Sequence, residues 1–132
     1  MKNVNRLEPP AVDLFGNEVA PAKRINDHKE GDALIEVLKA LRAHPAVCWV
    51  ERMNSGAAKV GGRFIRFGWP GCSDVIGQLR DGRFLACEIK AAKGRVRPEQ
   101  QVFLDRVRAG AGVAFVARDL RDVHRELNHL GV

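Results

Sequence analysis

The sequence predicts an α/β domain with helices flanking a central mixed β-sheet, and three observations predict it. Apolar residues recur at helical spacing in well-separated segments, short Val-, Ile- and Phe-rich runs lie between them, and Asp81-Gly82 joins two of those runs in a strong hairpin signal. The resulting order is helix, mostly antiparallel strands, helix, strand, helix. At 132 residues the chain suits one domain with one core.

Residues 1–25 contain Pro9, Pro10 and Pro21 and show no sustained period, so they read as an irregular N-terminal arm ahead of a domain at 26–132. A helix is expected from near Asp27, a good N-cap residue, with Leu34, Val37, Leu38 and Leu41 as its apolar face. Glu36 lies nearly opposite Leu34 and reads as surface. His44-Pro45 ends the helix, because a residue before proline avoids the helical region. A strand follows at 47–52, then a turn at Asn54-Ser55-Gly56, and a second strand at 63–67 after Gly61-Gly62. Residues 68–73 read as a loop, and 75–79 and 83–90 as the two strands of the hairpin. The segment 93–97 is a basic loop, and Pro98 fits the first turn of a helix running to about Ala109. Gly110 and Gly112 stop that helix. A buried strand at 113–117 and a helix from Asp119 complete the order.

Composition narrows the function classes. Hydrophobic content of 45% and charged content of 29% are ordinary for a folded soluble chain. No apolar run is long enough to span a bilayer, and the N-terminal residues lack the apolar stretch of a secretory signal, so a cytoplasmic location without membrane association is expected. Cys48, Cys72 and Cys87 form no CxxC pair and read as reduced structural thiols. The net charge is +6, and the chain through Glu30 is neutral, so the basic excess lies wholly beyond it. Such a surface suits a polyanion. The absence of tyrosine excludes a tyrosine-nucleophile recombinase or topoisomerase, and no P-loop or dinucleotide motif appears, so no reaction driven by the chain's own nucleotide hydrolysis and no nucleotide cofactor is expected. His28, His44, His124 and His129 lack the spacing of a zinc site.

The informative stretch runs from Asp74 to Lys90, reading S-D-x13-E-I-K. Side chains alternate along a strand, so Glu88 and Lys90 share one face while Ile89 points to the other. If Asp74 opens the partner strand, two carboxylates and an ammonium converge at one end of the hairpin. Neighbouring carboxylates repel each other, and a divalent cation relieves that cost; oxygen-only ligands favour Mg²⁺ or Mn²⁺ over zinc. The same residues also fit a turn-capping Asp74 with an exposed Glu88–Lys90 pair, and a D…ExK pattern is common by chance. Gln100 shares a helix face with Phe103, Leu104 and Val107, where a buried amide requires a partner. It reads either as a site residue or as an ordinary core-edge amide. Glu30 stands one turn before Leu34, either as a further carboxylate at the metal or as a favourable charge on the helix dipole.

Taken in order, Glu30, Gly71-Cys-Ser-Asp74, Glu88-Ile-Lys90 and Arg97-Pro-Glu-Gln100 resemble the VRR-NUC group (virus-type replication and repair nucleases) of the PD-(D/E)xK superfamily. The resemblance covers most of the chain from Glu30 onward, and it implies a restriction-endonuclease-like core and a Mg²⁺- or Mn²⁺-dependent DNA endonuclease. Residue by residue, it implies that Asp74, Glu88 and the Ile89 carbonyl ligate metal, that Lys90 assists the attacking water, and that Gln100 supports the site. Glu30 would match the first-helix glutamate of the family. Cys72-Ser73-Asp74 stands where the superfamily has small-Pro-Asp; the change removes no ligand. Small stand-alone members are similar to Holliday-junction resolvases, which implies a homodimer acting on branched or structured DNA.

Two basic groups are candidates for the nucleic-acid backbone: Lys93, Arg95 and Arg97 in one, Arg52, Lys59, Arg63 and Arg66 in the other. Each is equally readable as a solvated surface. Trp69, in Gly-Trp-Pro-Gly, reads mainly as loop packing, with stacking on a base or on a second subunit as the alternative. A non-catalytic DNA-binding or assembly module and a sequence-specific restriction-type nuclease stand as the competing function classes.

Overall fold

The computed structural model describes residues 29–53 and 56–130. Helix α1 (Glu30–Ala43) opens on Lys29 and buries Ala33, Val37 and Leu41, with Leu34 and Leu38 packed at the edge of the same face. Asp27, the expected cap, lies outside the described residues. Strands β1 (Val47–Arg52), β4 (Val75–Leu79), β5 (Phe84–Ile89) and β6 (Val113–Ala117) form one mixed sheet in the order β1-β4-β5-β6. β1/β4 and β4/β5 are antiparallel, whereas β5/β6 is parallel and is connected through α2 (Pro98–Ala109). The closing helix α3 (Leu120–Leu127) is capped by Asp119, whose side chain accepts from the Arg121 amide.

The sheet separates two cores. α1 and α3 cover one face, where Val37, Leu41, Val123 and Leu127 meet Leu85, Cys87 and Ile89. α2 covers the other, where Phe103 and Leu104 meet Ala86, Ala114 and Cys72. β5 is thus buried on both sides, as expected of a strand beside a parallel neighbour. Its alternation decides the chemistry: Leu85, Cys87 and Ile89 go to the first core, and Glu88 faces the layer that contains α2. Gly77 allows β1 to approach β4, since a Cβ there would run into the Trp49 carbonyl and Val50. No described helix is long and apolar enough to cross a membrane.

The strand order departs from the sequence reading in one element. Residues 56–60 form a strand, β2 (Gly56–Val60), paired antiparallel with β3 (Arg63–Phe67) as a separate two-stranded sheet. Gly-Ala-Ala-Lys-Val has little intrinsic β preference, and the turn reading of Asn54-Ser55-Gly56 masked it; pairing with β3 supplies what propensity does not. Glu36 is also less exposed than expected, because its carboxylate accepts the Leu120 amide at the start of α3 (3.1 Å).

Candidate active site

The hairpin brings Asp74 to Glu88 by local geometry. Leu79 and Arg83 close it through a backbone hydrogen bond, Gly82 takes φ 94° in the turn, and Asp81 accepts the Arg83 amide. Only glycine adopts that left-handed conformation without strain. The resulting register opposes Val75 to Cys87, so Asp74 stands beside the Glu88–Ile89 peptide, and its Oδ2 accepts the Ile89 amide at 2.7 Å. Asp74 is held by the backbone of the strand that carries its partner carboxylate.

Glu88 and Lys90 are only 1% and 5% exposed, so the alternative of a solvated cross-strand pair does not describe them. Lys90 Nζ lies 3.4 Å from Glu88 Oε1. The same oxygen accepts from Gln100 Nε2 at 2.7 Å, and the Gln100 carbonyl accepts the Arg97 amide at 2.9 Å. This second bond orients the amide: its oxygen faces a backbone donor, leaving its NH₂ for Glu88. Gln100 therefore has the partner that its place beside Phe103 and Leu104 on the buried face of α2 required.

Glu88 Oε2 is buried and, within the described residues, makes no hydrogen bond. Burial pushes the Glu88 carboxyl up to about 8, Asp74 adds to the rise through its charge and as a hydrogen-bonding neighbour, and Lys90 opposes it. A carboxylate so placed gains from an added cation. The donor set (a buried oxygen without a partner, a second carboxylate beside it and no sulfur or imidazole in the hydrogen-bonded group) fits a hard divalent ion. The thiol of Cys72 next to this pair is raised by burial and by both carboxylates, which keeps it neutral. Ser73 Oγ is a second buried atom without a hydrogen bond within the described residues.

The other candidates are more peripheral. Glu30 is exposed in the first turn of α1, and no group of three or more His, Cys, Asp or Glu side chains among the described residues is arranged to hold a metal. Ile89 contributes its amide to Asp74, as above. Lys93, Arg95, Arg97, Arg52 and Arg63 are exposed. Lys59 and Arg66 fall on β2 and β3, and their side chains lie outside the described residues. His28 does too, while His44 is buried against Asn128 (2.8 Å) and is structural.

One residue that sequence reasoning missed organises the loop after Lys90. The Arg118 guanidinium donates to the carbonyls of Ala91 (2.6 Å), Ala92 (3.3 Å) and Gly94 (2.7 Å), and its amide donates to buried Asp122 (2.7 Å). An arginine after an apolar strand gives no sign in sequence that its target is a loop 24 to 27 residues earlier. Arg118→Ala is expected to cost about 2–3 kcal/mol in urea unfolding, the scale of lost charged hydrogen bonds, and to speed proteolysis within 91–95. A loss under about 0.5 kcal/mol with unchanged proteolysis would show that the clamp contributes nothing, since that is the size of an ordinary surface change.

No family model, curated protein or solved structure matches the chain.

Proposed function

We propose that this protein is a divalent-metal-dependent endonuclease that hydrolyses DNA phosphodiester bonds, working in the cytoplasm as a homodimer on branched or structured DNA such as four-way junctions. The observation that carries the reading is the convergence of Asp74, Glu88, Lys90 and Gln100, with Glu88 Oε2 buried and, among the described residues, without a hydrogen bond. The resemblance to VRR-NUC nucleases supports the same reading and supplies the substrate class. Asp74 and Glu88, with the Ile89 carbonyl, would hold Mg²⁺ or Mn²⁺, and Glu30 would join through solvent.

The bound ion would supply Lewis-acid polarisation of the phosphate and lower the pKa of the attacking water. The chain's own residues do the rest. Gln100 donates to Glu88 Oε1 and so turns the other oxygen toward the metal site, while the Ile89 amide holds Asp74 in its rotamer. Lys90 places a buried positive charge where negative charge grows on the phosphate. Lys93, Arg95 and Arg97, with Arg52, Lys59, Arg63 and Arg66, would contact the backbone on either side and give binding its salt dependence.

A labelled panel of four-way junction, flap, duplex and single strand, incubated with Mg²⁺, Mn²⁺ or EDTA, tests the reading. Cutting that requires the metal and is strongest on one branched substrate is the expected result. Tight, metal-independent binding without cutting would replace it with a DNA-binding module, and cutting at one duplex sequence would replace it with a restriction-type enzyme.

A further inference from the structure

One groove is not used by this chemistry. It lies along the C-terminal half of α2, is lined by Trp69, Phe84, Phe103, Arg106, Val107 and Gly110, and encloses about 260 Å³. We propose that it receives a single unpaired nucleobase, with Arg106 on the adjoining phosphate; the proposal rests on the DNA-binding part of the function proposed above.

The walls are aromatic and open. Trp69 and Phe84 are 46% and 40% exposed, whereas Phe103 forms the buried floor. Trp69 meets Phe103 edge-on, with centroids 5.0 Å apart at 90°. Its loop is fixed as well: Gly71 takes φ 80° and sits so close to α2 that a Cβ would stand 2.8 Å from the Glu99 carbonyl. Trp69 is thus part exposed on a fixed loop rather than folded away, and a ligand that stacks on it meets a prearranged surface.

Charge selects among apolar ligands. Arg106 is exposed at the groove and, among the described residues, forms no ion pair with a carboxylate, unlike its neighbour Arg108, which pairs with Asp105 at 3.4 Å. An aromatic slot beside an exposed guanidinium matches a flat ring attached to a phosphate. The volume falls below the roughly 300–1,000 Å³ of sites that enclose drug-sized ligands, so it suits one ring system. A self-association surface would need about 800 Å² from each partner, far more than this groove offers.

Position relates the groove to the carboxylates. Phe103 is one helical turn beyond Gln100, about 4.5 Å along the axis, and Phe84 precedes Glu88 by four strand residues, about 13 Å. With a rise of about 3.4 Å per nucleotide on one strand, the stacked base lies roughly one to four nucleotides from the phosphate at the site. Unpaired bases occur at junctions, flaps and bulges, so the groove would favour such DNA over a plain duplex.

Anisotropy titrations in EDTA test this with three labelled duplexes: fully paired, with a one-base bulge, and with that bulge made abasic. The base should tighten wild-type binding roughly 5- to 150-fold over the abasic bulge, the range of one aromatic stack. Trp69→Ala should remove that advantage and leave abasic binding unchanged; Trp69→Phe should retain most of it. Phe84→Ala provides the same comparison if Trp69→Ala fails to fold. Equal wild-type affinity for the two bulges would overturn the groove proposal and leave the nuclease standing. Failure to bind any of the duplexes would overturn both. Trp69→Ala weakening all three duplexes equally would reduce Trp69 to loop packing. A change in self-association by light scattering, with DNA affinity unchanged, would assign the groove to a second copy of the chain and overturn the proposal.

Discussion

Lys90→Met should lower single-turnover DNA cleavage by at least about a hundredfold while changing DNA affinity no more than about threefold, because loss of one positioned electrostatic group costs roughly 10²–10³ in rate. Methionine keeps most of the buried stem and removes only the charge. Lys90 is 5% exposed, so its ammonium is nearly out of water and 3.4 Å from Glu88 Oε1. Its positive charge also opposes the rise of the Glu88 carboxyl, so removing it leaves that group more firmly protonated and a poorer metal ligand. Both consequences act in the same direction. Lys93→Met, in the exposed loop, is the control: it should weaken binding and reduce the salt slope, with the chemical step intact. Cleavage by Lys90→Met within tenfold of wild type would end the assignment of Lys90.

Glu88→Gln should stabilise the protein in EDTA at pH 9 by a few kcal/mol, on the order expected for a pKa raised by several units, and should do far less at pH 5. The sign follows from the proton count. Glu88 titrates at about 8 in the fold, against an ordinary value of 4.5 in an unfolded chain. Between those values the native state holds a proton that the unfolded state has lost, so wild-type stability falls as pH rises from about 4.5 to about 8 and this contribution levels off above. Glutamine cannot ionise, and its carbonyl can still accept from Gln100, so the variant escapes the penalty without losing that bond. Saturating Mg²⁺ at pH 9 should raise the melting temperature of wild type and leave Glu88→Gln nearly unmoved. Parallel pH–stability curves for the two proteins would show that Glu88 does not titrate as argued.

Much of this architecture is legible in the sequence wherever its cause is local. Helical spacing marks the buried face of α1, Pro98 marks the start of α2, and Asp81-Gly82 sets a hairpin whose register carries Asp74 to the Glu88–Ile89 peptide. Alternation on β5 separates Glu88 from Ile89 for the same reason. The buried face of α2 likewise demands a partner for Gln100. β2 was not legible, because small residues with weak strand preference gain their conformation from β3.

What only the tertiary structure decided depends on contacts between distant segments. That Glu88 is buried follows from the packing of α2 over β5, and the choice of Glu88 as partner for Gln100 follows from the same packing. The Arg118 clamp on residues 91–94 and the groove between Trp69, Phe84 and α2 join parts of the chain whose spacing carries no period. A local pattern can place a carboxylate on a strand face; how dry that face is, and therefore how strongly the carboxylate's proton is held, is set by what the rest of the chain lays over it.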